Sequence, residues 1–362
     1  MKGKQNYDTK KNFRNYDFST SNDDFKKTGN ELLSQKNITK IKEYCRKNLN
    51  FSENFEILNY VDSGSESTVW NGFFKKTKKE VIIKLIFNNK RRRKINENEF
   101  EIASKLKNNN IINFYCYAHM IKDESYFILM ENAKYGNLLN FKKNIIRRAN
   151  LSETMICYLA YQILNGLIYC HKCKIAHMDL KPKNIVIDEF LNVKLIDFSI
   201  SINYQGKKLN DQIKLPSKGT SLYMPLEVIT SQKIKYKDLN KVDLYGLGVT
   251  LFYLAFGDFP YNLKYEDADN YTKICEKIFI KNIGIDYENK HFSSHFLDFL
   301  SKLLEKNINK RINIYEAKDN YWIKGANILL KEKENLCNAI SFINGLLTNH
   351  IKNFNDYLEK YK

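Results

Sequence analysis

The octapeptide HMDLKPKN sets a carboxylate, Asp179, an ammonium, Lys181, and an amide, Asn184, at fixed offsets behind His177. Together Asp179 and Lys181 could set an acceptor beside a cation; singly, each group is what any exposed turn carries. The continuation, NIVIDEFLNVKLIDFS, has two short apolar runs, Ile185 to Asp188 and Val193 to Ile196, around a polar turn at Glu189 to Asn192, and so predicts a hairpin. Its far end carries Asp197 back towards Asn184. An amide oxygen beside a carboxylate is the kind of pair a magnesium ion takes.

Those side chains need a scaffold. The chain has 362 residues, 43% hydrophobic and 14% aromatic, enough to bury a large core in more than one compact unit. Lys and Arg number 59 against 41 Asp and Glu, and the formal charge of +18 permits attraction to nucleic acid, anionic membrane or acidic protein. Lys and Asn are spread from KKTKKE to KNNNII, however, a habit of the whole chain and not one basic face, so nucleic acid is not an expected partner. The densest basic run, NKRRRK at 89–94, falls between a strand and a helix and reads as a solvated loop. Seven Cys show no framework spacing and no secretory segment opens the chain, which points to free thiols and a cytoplasmic location that leaves nuclear access open. Cys170 and Cys173 lack a second ligand pair and read as helix-end packing rather than zinc ligands. The longest apolar run, Leu244 to Gly257, is too short for a bilayer, and Lys2 stands where a myristoylated Gly would be, so no membrane span or acyl anchor is expected.

Along the chain, residues 1 to about 52 are polar, with one weak amphipathic segment around Ile38, Ile41 and Cys45, and their start is expected to be disordered. From Phe55, the runs FEILNYV, STVWNGFF, EVIIKLIF and YFILME read as strands, interrupted by a helix from about Ile95 to Lys107. After Asn132, Ser152 to His171, Asp243 to Gly257 and His291 to Glu305 have helical periodicity. The tail repeats Leu336, Ile340, Ile343, Leu347, Ile351, Phe354 and Leu358 at a mean spacing of about 3.7, which predicts a docked helix and not a coiled coil.

In order, Gly64 in VDSGSESTVW, Lys84 in VIIK, Glu99 in its helix, HMDLKPKN, DFS, GTSLYMPLE, VDLYGLGV and Arg311 in NKRIN resemble the eukaryotic protein kinase family over roughly Phe55 to Lys324. The resemblance implies an α+β, bilobal fold: an N-terminal extension at 1–52, a small β-rich N-lobe with one main helix at 53–131, a larger α-helical C-lobe at 132–325, and a C-terminal amphipathic helix at 326–362. It implies transfer of the ATP γ-phosphate to serine or threonine hydroxyls of protein substrates, with ATP and Mg2+ as cofactors. Such transfer needs the phosphates neutralised and the acceptor oxygen placed in line. By the same resemblance, Lys84 serves the α- and β-phosphates with Glu99 as its partner and Glu101 as second candidate. Met130 backs the adenine, Glu131 to Ala133 form the hinge, Asn137 lies near the ribose, and Val61, Gly64, Val69, Ile82 and Val186 complete the nucleotide set. Asn184 and Asp197 are the metal ligands, Asp179 accepts or orients the hydroxyl proton, Lys181 offsets charge on the transferred group, and Thr220 hydrogen-bonds near both. Asp243 receives the backbone of the loop, Glu227 pairs with Arg311, and His177 is a hydrogen-bonded brace.

Several positions depart from the family pattern. The glycine-rich loop keeps one of its three glycines, with Asp62 and Ser67 at the other positions, which loosens a backbone cradle for phosphate; Ile82 narrows the adenine slot. Ser199 follows Asp-Phe in place of Gly. Met178 replaces an Arg that binds an activation-loop phosphate in many relatives, and without its bidentate fork activity is expected to need no phosphorylation there. Asn137 and Lys183 stand where relatives that prefer basic sequences carry acidic residues, so an acidic or neutral acceptor sequence is expected. Two readings stay open: a Ser/Thr protein kinase, and a pseudokinase acting as a nucleotide-binding or scaffolding module.

Overall fold

The computed structural model describes residues 55–63, 67–75, 79–86, 93–120, 125–143, 151–285 and 291–335. Gly64, the 1–52 extension, most of the NKRRRK run and the tail periodicity from Leu336 onward lie outside the described residues. The chain divides into two compact units, one combining the residues up to Arg93 with Phe114–Asn132, the other Lys94–Asn113 with the residues from Ala133 onward.

The first unit is a five-stranded antiparallel sheet of β1 (Phe55–Ser63), β2 (Ser67–Phe74), β3 (Lys79–Ile86), β4 (Phe114–Met120) and β5 (Ser125–Glu131), in the order β1-β2-β3-β5-β4. Val, Ile, Phe and Tyr suit a pleated surface, and the register from Ser67↔Ile86 to Phe74↔Lys79 runs without a break. Trp70 opposite Ile83 buries one face there. β1 pairs with β2 less regularly, with shifts between Ile57 and Tyr60 and between Tyr60 and Asp62. Nothing in the sequence reading announced β4, because Cys, Ala and His in FYCYAHM dilute its apolar alternation.

The second unit carries α1 (Arg93–Lys105) from its second residue on, α2 (Leu138–Phe141), α3 (Glu153–Lys172), α4 (Leu226–Ile229), α5 (Leu239–Phe256), α6 (Tyr271–Ile280), α7 (Ser294–Leu303), α8 (Ile314–Asp319), α9 (Tyr321–Lys324) and α10 (Ala326–Asn335). Its short strands pair as β6 (Ile175–Ala176) with β9 (Ile202–Asn203), β7 (Ile185–Ile187) with β8 (Val193–Leu195), and β10 (Gln212–Lys214) with β11 (Lys233–Lys235). α3 starts where Ser152 caps it by accepting from the Met155 N–H, and α7 starts at the equivalent Ser293 cap. α3 and α5 are buried over most of their length, and α5 packs against both α3 and α7. At Gly248 a Cβ would come within 2.9 Å of Leu303, so only glycine permits the α5–α7 approach. Phe296 and Phe299 close on Trp322 at 4.8 and 5.4 Å. Among the described residues no helix is long and apolar enough to cross a membrane.

Candidate active site

α3 delivers the chain to the site. Beyond its last turn Lys174 takes a left-handed φ of 61°, which reverses the chain into β6. The loop that follows hangs on Asp243 of α5, which is 1% exposed. Its Oδ2 accepts from the His177 N–H at 2.9 Å and lies 2.7 Å from His171 Nε2, while Oδ1 accepts from the Met178 N–H at 2.7 Å. Burial alone would raise this carboxyl's pKa, but the His171 hydrogen bond, the charge of His171 and the Met178 N–H outweigh it and hold the pKa below its ordinary value. Met178 itself sits at φ 70°, a conformation that costs a residue with a Cβ about 1–2 kcal/mol and that the Asp243 bond helps to hold. A Cβ at Gly246 would meet the Leu180 carbonyl oxygen at 3.0 Å, so α5 can lie close under the loop.

His177 is fully buried and braced at both ring nitrogens: Nε2 is 3.0 Å from the Ile196 carbonyl, and Nδ1 accepts from the Asp179 N–H at 3.3 Å. These bonds assign the proton to Nε2. The Asp179 carboxylate is then held on both oxygens. Oδ1 accepts from the Thr220 N–H at 3.0 Å; Oδ2 accepts from Lys181 Nζ at 2.6 Å and from Asn184 Nδ2 at 3.0 Å. Lys181 Nζ also donates to Thr220 Oγ1 at 2.5 Å, and Asn184 Nδ2 to the Asp179 carbonyl at 2.9 Å. The structure thus brings Asp179, Lys181, Asn184 and Thr220 into one hydrogen-bonded cluster.

The hairpin forms in the expected register, with Ile185 opposite Leu195 and Ile187 opposite Val193. Asp188 closes its turn by accepting from the N–H groups of Phe190 and Asn192 at 2.9 and 2.8 Å. Tyr158 and Gln162 of α3 donate to the Leu191 carbonyl at 3.0 and 3.2 Å and tie the turn down. The Ile196 N–H donates to the Asn184 carbonyl at 3.0 Å, so Asp197 follows directly on a residue bonded to Asn184. Asp197 has φ 66°, a left-handed conformation set where the strand ends. Because Asn184 spends its Nδ2 on Asp179, its Oδ1 is turned the other way. An amide oxygen so directed, with a carboxylate one hairpin away, fits the oxygen donors a magnesium ion takes.

Beside this hairpin, Asn137 and Val186 form an isolated β-bridge, the Gly136 N–H donates to the Ala133 carbonyl at 2.8 Å, and Tyr135 N–H to Ile187 at 3.0 Å. Ala133, Asn137 and Val186 therefore come together. In the first unit, Val69 is paired with Lys84, Lys84 with Ile128, and Ile82 with Met130, so Val69, Ile82, Lys84 and Met130 share one face of the sheet. Glu131 is opposite Val81, on the other face, and Val61 lies at the irregular part of β1, exposed. Glu99 is buried in α1, 2% exposed, in the second unit.

Three supporting residues carry no motif of their own. His171, Tyr204 and Ser201 brace the loop: Tyr204 O–H lies 3.1 Å from His171 Nδ1, and Ser201 Oγ donates to the His177 carbonyl at 3.0 Å. The one available signal is the second His six residues before His177. Equally unannounced is the strap formed when β10 pairs with β11, from Gln212↔Lys235 to Lys214↔Lys233. It is extended by N–H bonds from Leu215 to Gln232, Tyr236 to Asp211 and Lys237 to Leu209, each 3.0 Å. Below the loop, Glu227 meets Arg311 at 2.6 Å, and the guanidinium lies 4.9 Å from the Tyr245 ring centre.

A carboxylate, an ammonium and an amide are thus gathered on a loop that one buried Asp suspends. Residues 55–323 match the protein kinase domain, and the chain belongs to the protein kinase family. Among curated proteins it is 32% identical over 206 residues to CBL-interacting protein kinase 11 of Oryza sativa subsp. japonica, covering 56% of this chain and 37% of that protein. It is 28% identical over 280 residues to serine/threonine protein kinase OSK3 of Oryza sativa subsp. indica, covering 75% and 50%. To calcium-dependent protein kinase 4 of Plasmodium falciparum (isolate 3D7) it is 28% identical over 299 residues, covering 80% and 52%. The chain spans about half, or less, of the length of these relatives.

Proposed function

We propose that the protein is a serine/threonine protein kinase that transfers the ATP γ-phosphate to protein hydroxyls. The observation that carries the reading is the unequal loading of Asp179. Of about four acceptor sites on a carboxylate, Thr220, Lys181 and Asn184 take three, which leaves one on Oδ1 for an incoming hydroxyl. Asp179 orients that hydroxyl and receives its proton as the oxygen attacks. Lys181 has three N–H groups, of which Asp179 and Thr220 engage two; the third can face the group in transfer. Asn184, through Oδ1, and Asp197 would hold magnesium, which when bound neutralises phosphate charge. The nucleotide-contacting set of the sequence analysis, with Lys84 at the phosphates, is part of the same proposal. So is activity without activation-loop phosphorylation: Met178 offers no guanidinium, and the β10–β11 strap holds that segment with backbone bonds instead. Exposed Lys183 supports an acidic or neutral acceptor sequence, and the free thiols of Cys157, Cys170, Cys173 and Cys275 fit a cytoplasmic location. The test is incubation with ATP, magnesium and a generic protein substrate, followed by mass spectrometry of the products. Phosphoserine and phosphothreonine above the level of an Asp179→Asn control are expected. Incorporation no greater than the control would contradict the reading and leave the pseudokinase in its place.

A further inference from the structure

Lys142, the C-cap of α2, is a half-buried cation that Asp179 and its partners do not use. Among the described residues no carboxylate lies within ion-pair distance of it, and in the segment after α5 Asp258 is committed to Lys264, and Asp267 to Lys273 and Lys277. Among the described residues its partner is the Tyr253 ring, 5.8 Å from Nζ to the centre. A cation–π contact of that kind contributes about 0.5–1 kcal/mol at an exposed site and leaves the ammonium's donors unfilled. Burial, with no opposing anion, pulls the Lys142 pKa down from its ordinary value.

What lies beside Lys142 gives this cation a use. Tyr253 packs on Phe259 at 5.4 Å, and Phe259 meets Tyr223 edge-on at 5.5 Å. Tyr223 lines the pocket that Asp179 and Thr220 also line. The exposed Tyr265 flanks the row, 5.0 Å from Phe259, with its O–H donating to Tyr253 Oη at 3.1 Å. A continuous aromatic row therefore leads from the Asp179 pocket to an ammonium that no carboxylate of the described chain neutralises. Phe259 is buried and holds the row in place, while the partly exposed Tyr223 and Tyr253 and the exposed Tyr265 offer apolar area at low entropic cost to an extended chain, and a half-desolvated cation at the end of such a row discriminates by charge.

We infer that Lys142 is a specificity-determining residue that pairs with a carboxylate side chain of the acceptor polypeptide. The inference deepens the kinase reading and rests on it for the identity of the bound chain as acceptor. At up to about 3.5 Å per residue of extended chain, the steps along the row put the acidic residue about three to five positions from the acceptor hydroxyl.

The test separates binding from turnover. Fluorescent peptides with one central Ser carry a single Glu walked through five positions on each side, each with a Gln and a Lys twin, and their dissociation constants are measured by anisotropy with the full chain. The native protein is expected to favour Glu over Gln by about five- to tenfold at one position within five of the Ser. Lys142→Met should erase that gap, and Lys142→Glu should reverse it towards a Lys peptide, both with native thermal unfolding. A Glu preference that survives Lys142→Met, or no difference between Glu and Gln peptides at any position, would overturn the inference. Phosphate transfer to the same peptides is read separately: binding discrimination without transfer counts against the kinase reading while leaving the Lys142 pairing standing.

Discussion

The two oxygens of Asp179 are held by different chemistry: Oδ1 by a backbone N–H, Oδ2 by an ammonium and an amide. Thr220 acts on Asp179 through its N–H, while its hydroxyl only receives Lys181. Thr220→Ala keeps the N–H and should lower the transfer rate by about tenfold or less, whereas Lys181→Met should lower it by about 10²-fold or more, as single-turnover rates will read. The residue types at these positions were legible in HMDLKPKN and GTSLY; the division of labour between backbone and side chain was not, because it depends on how two segments 41 residues apart meet. Asp243 has a pH signature. Its pKa is lower folded than unfolded, so fewer protons bind the fold, and its stabilisation is complete above the ordinary carboxylate range, about 3.9, and fades as pH falls through the folded value. Asp243→Asn should cost about 3 kcal/mol at neutral pH, since it leaves buried partners of the carboxylate unsatisfied. Urea unfolding between pH 6 and pH 3, which are the limits of the measurement, should find the gap between native and variant narrowing below about pH 4.

At the scale of elements, length decided what could be read. α3 and the β7–β8 hairpin were legible, the helix because its apolar positions repeat over twenty residues and the hairpin because its turn is polar. Pairs of two or three residues, such as β6 with β9 and β10 with β11, carry too few positions for any period to register. The strap has its own test. Leu215, Ile213 and Asp211 alternate along the β10–β11 ladder, which on the proposed reading stands in for a phosphate clamp, so Ile234→Pro should remove a donor and free the segment. Tryptic cutting at Lys207, Lys208 or Lys214 should rise and the transfer rate fall by about tenfold, a magnitude set by loss of positioning. In contrast, Ser217→Ala with Ser221→Ala should leave the rate unchanged. Ser221 is buried and donates to the Ala268 carbonyl at 2.6 Å, so the pair should cost only about 1 kcal/mol of stability. A collapse of activity in that double variant would mean a phosphate does the work assigned to the strap.

For the molecule as a whole, a formal charge of +18 spread over the chain produces a long-range field without defining a site. Encounter with acidic protein substrates should therefore be faster at low salt: kcat/KM should fall several-fold as ionic strength rises from about 0.05 to 0.3 M, with kcat little changed, and salt-independence would contradict it. The order of the motifs made the family legible from the sequence, since eight signals spread over most of the chain constrain a fold more tightly than any one. The same order says nothing of unused cations such as Lys142, whose surroundings are assembled from α2, α5 and the residues after α5. What remains central is Asp179 as proton acceptor. The most direct measurement is the single-turnover rate of γ-phosphate transfer to a serine peptide by native protein and Asp179→Asn, at matched nucleotide occupancy. A fall of about 10²- to 10⁴-fold, with unfolding unchanged, is expected of a positioned base. A rate within a few-fold of native would contradict it.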